Sequence, residues 1–228
     1  MYNLSYLLLI GVTLIIGLGA SAYVKSKLKK YSHVPTATGL SGVEVAQRML
    51  AAYGIPDVPI RQGKEGEDHY DPRSRSVSLS PSYYNGRSVT AIAVACHEVG
   101  HACQHAQSYT PMTVRSALFP VVSFTSNAWM FLLMAGIFLY SMNSFVPGDI
   151  CIWIAIGMYS FAVLFQIVTL PVEFNASKRA MDYMGTIGVI EGEKQGAFSV
   201  LRACALTYVA AALTSILQLL WLLAQLRR

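Results

Sequence analysis

Residues 91–107 read AIAVACHEVGHACQHAQ, and within them His97, Glu98 and His101 stand in the order H-E-x-x-H. On an α-helix, positions i and i+4 share a face, so these two imidazoles can be turned on one metal ion. Glu98, one residue along, is set to reach a water activated by that metal rather than the metal itself. Two neutral nitrogen ligands, a general base and an open coordination position are what a zinc hydrolase needs. Three fixed characters can arise by chance, so the remainder of the chain has to supply a third ligand and a suitable setting.

The third ligand of a catalytic zinc is usually a His or a carboxylate from a second segment. Downstream of the motif the acids are Asp149, Glu173, Asp182, Glu191 and Glu193. Glu173 follows an apolar stretch almost immediately, where a carboxylate is costly unless paired, and a metal ion is a strong partner. Its alternative is a surface acid or an ion pair with Lys178 or Arg179. His105 is near the ligand face but lies about 12 Å along the axis from His97 at a rise of about 1.5 Å per residue, so it reads as structural. Cys96 and Cys103 read as small packing residues with free thiols, since no C-x-x-C spacing occurs. Candidates for stabilising an oxyanion are Tyr183, Arg179 and His69, and the sequence does not choose among them.

The elements that must position these residues are mostly apolar. Of the 228 residues, 54% are apolar and 13% charged, and the apolar ones come in blocks. Roughly Leu4–Val24, Leu118–Tyr140, Ile150–Leu170 and Ala205–Leu226 could each cross a hydrocarbon core, which takes about 20 helical residues. The basic cluster Lys25, Lys27, Lys29 and Lys30 follows the first block instead of preceding it, which favours a retained anchor over a cleavable signal. Among the 17 Lys and Arg, only Arg227 and Arg228 lie outside the stretches 25–117 and 171–204. The positive-inside tendency places both stretches in the cytoplasm and the loop Ser141–Asp149 outside, which removes Asp149 as a ligand. This topology accounts for the net charge of +5 and calls for no nucleic-acid partner.

The expected fold class is a mainly α integral membrane protein, with about four transmembrane helices and a small α+β cytoplasmic domain of zincin-like (minigluzincin) type. Its parts are an anchor over 1–24, a catalytic domain over 25–115 and a transmembrane hairpin over 116–171. A cytoplasmic helix carrying the third ligand covers 172–203, and a last transmembrane helix covers 204–228. Within the polar part, Ser41 and Glu44 form a capping box ahead of apolar residues at helical spacing. Asp57–Arg61 and Ser74–Ser80 read as short strands separated by the turn-forming QGKEGEDHYDPR. The strand Ser76–Ser80 either offers its edge to an extended peptide or simply packs. Pro111 is expected to break the motif helix, Leu170-Pro171 to end the third crossing, and Asn127 to bond another helix. Glu173–Met184 reads as a helix stopped at Gly185, and Glu191–Leu226 as one long helix.

The segments HEVGHACQ, DHYDPRSRSVSLSPSYY, LPVEFNASKRA and ALTYVAAAL resemble the bacterial membrane zinc metallopeptidases of the YugP type, over nearly the whole chain. They are more weakly similar to the HtpX and CAAX-prenyl-type membrane proteases. The resemblance implies one Zn2+ ion, an active site facing the cytoplasm, and a multi-pass location in the bacterial plasma membrane. It also implies Glu as the third ligand, from a helix separated from the motif by membrane helices. In those weaker relatives the second helix carries E-x-x-x-D, whose Asp orients a zinc-binding His. Here Ser177 stands in that place, with Asn175 able to share the role.

The expected function is peptide-bond hydrolysis at the cytoplasmic membrane surface. His97, His101 and Glu173 would hold zinc and Glu98 would act as general base. The substrate would be a polypeptide, membrane proteins included, with the lipid bilayer as the other partner. The competing class is a non-catalytic membrane scaffold with a structural metal, which would leave Glu98 without a task.

Overall fold

The computed structural model describes residues 4–226. The expectations drawn on the first residues of the chain and on Arg227 and Arg228 fall partly or wholly outside these. The chain is mostly helical, with a three-stranded sheet. In order, the elements are α1 (Leu4–Ser32), α2 (Gly42–Ala52), β1 (Ile60–Gln62), β2 (His69–Asp71) and β3 (Ser76–Leu79). They continue as α3 (Pro81–Tyr84), α4 (Val89–Ala106), α5 (Thr110–Ser141), α6 (Phe145–Met184) and α7 (Glu191–Leu226). Four of these, α1, α5, α6 and α7, are long and apolar enough to cross a membrane.

The chain divides into two compact units. One takes in residues up to Leu18, Thr113–Leu170 and residues from Tyr208 on. In it, Tyr6 packs on Trp221 with ring centroids 4.8 Å apart, and the Trp221 indole N–H donates to Ser5 Oγ at 3.2 Å. Trp129 and Tyr159 pack at 4.6 Å, joining α5 to α6. Among the described residues Asn127 bonds its own helix and not another: its Nδ2 donates to the Ser123 carbonyl at 2.7 Å. A carbonyl one turn back is the acceptor nearest to a short amide side chain, so no second helix is needed to satisfy it.

The other unit, Gly19–Met112 and Pro171–Thr207, holds the core. Val45, Met49 and Leu50 of α2 pack with Val77 and Leu79 of β3, Ile92 and Val99 of α4, Val172 and Met184 of α6, and Val200 of α7. The α2 entry carries the expected capping box, with the Ser41 N–H donating to Glu44 at 2.7 Å. Cys96 and Cys103 are free, buried thiols in the same core.

Four local expectations are decided by the structure. The sheet order is β1-β3-β2, so Ser76–Leu79 is the central strand and offers no edge. The polar stretch expected to be only a turn contains β2, whose Tyr70 is buried while its neighbours are not. The motif helix stops at Ala106, ahead of Ser108 at φ 50, and Pro111 sits in the first turn of α5, where its missing N–H has no helical partner to lose. α6 also runs unbroken through Pro171 for 40 residues. A proline costs one helical hydrogen bond; the seating of Val172, Ala176 and Ala180, all at 0% exposure, holds the helix together across it.

Candidate metal centre

The face of α4 that bears the metal-ligating residue types is flanked on two sides. Toward α6 it presents Gly100 and Gln104, and toward β2 it presents Glu98 and His105, as a repeat of about 3.6 residues requires. Gly100 allows the first approach: a Cβ built on it would stand 2.7 Å from the Ala176 carbonyl oxygen and 3.1 Å from its Cα. With a bare backbone at that point, Glu173, one turn before Ser177 on α6, comes up to the two histidines.

His97 Nε2 lies 3.2 Å from Glu173 Oε2, and His101 Nε2 lies 3.6 Å from the same oxygen. One ligand atom from each residue falls within 4.8 Å of the others. The two imidazoles meet edge to face at a centroid distance of 4.8 Å. Glu173 is 2% exposed, and a carboxylate so deep is costly unless a cation pairs with it. Two imidazole nitrogens and a carboxylate oxygen converging on one point, with no fourth protein ligand among the described residues, fit a catalytic zinc ion.

Each histidine is held by its other nitrogen. His101 Nδ1 lies 3.0 Å from Gln104 Oε1, while Gln104 Nε2 donates to the Val172 carbonyl at 2.7 Å and to Asn175 Oδ1 at 3.0 Å. Both of those are acceptors, so the amide orientation is fixed, and Oε1 must receive the His101 Nδ1–H. That leaves His101 Nε2 with its lone pair facing Glu173. His97 Nδ1 lies 3.2 Å from Ser177 Oγ. Arg179 Nε donates to Asn175 at 2.7 Å, completing a chain that runs from His101 through Gln104 and Asn175 to Arg179.

A family described as "Putative neutral zinc metallopeptidase" matches residues 6–227. The chain belongs to this family. It is 47% identical over 199 residues to the "Putative membrane protease YugP" of Bacillus subtilis (strain 168), covering 86% of this chain and 85% of that one. No solved structure gives a significant match.

Within this family member, Glu98 is 8% exposed, beside the ligands. Burial pushes its carboxyl up to about 7, with the Glu173 charge adding to the rise and His97 and the Tyr70 backbone N–H opposing it. Of the other residues singled out from sequence, Ser177, Asn175 and Arg179 enter the hydrogen-bonded network around the ligands. Among the described residues Tyr183 and His69 do not. Tyr183 is buried with its ring 6.5 Å from Tyr53, and His69 is exposed on β2 opposite Ser78. Sequence reasoning missed Gln104. The only signal was its position three residues after His101, where a side chain reaches the same face.

Proposed function

We propose that this chain is a membrane-bound zinc metallopeptidase that hydrolyses peptide bonds at the cytoplasmic surface of the bacterial plasma membrane. The observation that carries this reading is the convergence of His97, His101 and Glu173 next to the buried carboxyl of Glu98. His97, His101 and Glu173 hold one zinc ion. When bound, zinc polarises the scissile carbonyl and lowers the pKa of water to about 7. Glu98, pushed up to about 7 by burial, takes a proton from the attacking water and hands it to the leaving amine. Gln104 and Ser177 keep the His101 and His97 rings aimed, and Asn175 steadies Gln104.

Four apolar helices and the lysines that close α1 support the membrane location and the cytoplasmic side. The substrate is an extended polypeptide, membrane proteins included. β2 is an edge strand of the sheet and packs against α4, so a peptide adding to its open side runs past Glu98. The test is the metal content of the detergent-purified protein: one zinc per wild-type chain and a large loss in Glu173→Ala, whereas unchanged occupancy in the variant refutes the ligand set.

A further inference from the structure

The hydrogen bond between Tyr70 and His105 lies outside the metal network. The Tyr70 hydroxyl stands 2.7 Å from His105 Nδ1, and the two rings meet edge-on at 5.8 Å. His105 follows Glu98 by seven residues, about two helical turns, which returns it to nearly the same face of α4. Tyr70 therefore reaches one face of α4 at two points: its hydroxyl at His105 and its backbone N–H toward Glu98.

The register independently fixes which way that backbone points. The Val77 N–H donates to the Pro59 carbonyl at 2.9 Å, so Val77 turns its polar groups toward β1. Tyr70 is the antiparallel partner of Val77, which makes theirs a non-hydrogen-bonded pair. The N–H and C=O of Tyr70 thus face away from β3, while those of His69 and Asp71 face into the sheet. The next residue in line, Pro72, has no N–H to offer. Within β2, Tyr70 alone turns its backbone outward; its N–H is directed at Glu98, and its C=O is the group left for an incoming chain.

We propose that the Tyr70–His105 hydrogen bond is a positioning device that holds the outward-facing C=O of Tyr70 beside Glu98, so that an extended polypeptide docks there in one register. The proposal rests on the peptidase reading and adds the residues that set substrate alignment. The three-residue strand is held on one side by its pairing with β3 and on the helix side by the Tyr70 side chain. The hydroxyl anchors its central residue to the same helix that carries the general base. Freeing it blurs the docking edge while leaving the metal ligands and Glu98 in place.

The test uses Tyr70→Phe, which removes the hydroxyl and keeps the ring in its seat. Zinc-loaded full-length protein in detergent is assayed on fluorescein-labelled casein. Binding of the same casein is measured by anisotropy in a Glu98→Gln background. The expected result is a KM and a Kd raised about tenfold, on the scale of one neutral hydrogen bond, with kcat held within about twofold and zinc content unchanged. His105→Phe should reproduce this, and the double variant should be no worse than either alone. Unchanged KM and Kd, a fall in kcat at constant KM, or additive losses in the double variant would overturn the proposal. If the wild type cleaves nothing, the peptidase reading fails, and anisotropy alone decides: weaker casein binding in Tyr70→Phe upholds the pair, and equal binding overturns it.

Discussion

Gly100, inside the H-E-x-x-H sequence, lies so close to Ala176 that an added Cβ would meet the Ala176 carbonyl oxygen at 2.7 Å and its Cα at 3.1 Å. Both atoms are backbone, so no side chain can swing aside. Gly100→Ala must move α6 away from α4 and carry Glu173 with it. The expected cost is about 1–3 kcal/mol of stability, as for other over-packed sites. Zinc affinity should weaken along with it. Thermal unfolding and zinc titration of the variant check both, and a variant that keeps both values would show that the contact is not what sets the ligand spacing.

Gln104 is fully buried and makes three hydrogen bonds, one of them to a metal ligand. Gln104→Leu keeps much of the volume but leaves the His101 Nδ1–H and the Val172 carbonyl without partners, at about 1–3 kcal/mol for each group. Zinc affinity should fall by about 10–100-fold, the usual effect of losing a group that orients a ligand. Competition with a chelator of known affinity measures this. An unaltered zinc Kd would mean that the His101 ring needs no such support.

The two imidazoles differ in their supports, which separates a third variant from the second. Ser177 offers His97 one hydroxyl at 3.2 Å, whereas Gln104 ties His101 to the α6 backbone as well. Ser177→Ala should therefore weaken zinc by about tenfold or less, the lower end of such effects. A loss larger than that of Gln104→Leu would reverse the ranking of the two supports.

Part of this organisation is legible in the sequence because it depends on local spacing. H-E-x-x-H is a helical repeat, Ser41 with Glu44 is a local cap, and α7 matches the expected Glu191–Leu226 residue for residue. Glu173 stood out because a carboxylate at the end of an apolar run demands a partner. What stayed hidden depends on partners distant in the chain. β2 carries one apolar side chain in a polar stretch, so its strand character comes from pairing with β3 and from the His105 bond, not from alternation. Strand order could not be read from the strands themselves, which is why Ser76–Ser80 stood open between a docking edge and a packing strand, and β3 proves to be central. Gln104 gave no alarm because a neutral amide costs little to leave in a helix until its surroundings are known.

The membrane orientation has its own test. Met142, in the connection between α5 and α6, is 62% exposed, and the Lys64 side chain in the catalytic unit is 89% exposed. Measured against wild-type cells, Met142→Cys should react with a membrane-impermeant thiol reagent in intact cells. Lys64→Cys should react only after the membrane is opened. The opposite pattern would place the metal centre outside the cell.

The assignment of Glu98 as general base is tested most directly by Glu98→Gln in the purified, zinc-loaded protein, assayed for zinc content and for cleavage of casein. Glutamine keeps the shape and cannot accept the water proton, so the variant should retain one zinc per chain. Cleavage should fall by about 10²–10⁴-fold, the usual contribution of a positioned base. A variant that holds its zinc and cleaves at the wild-type rate would contradict that assignment.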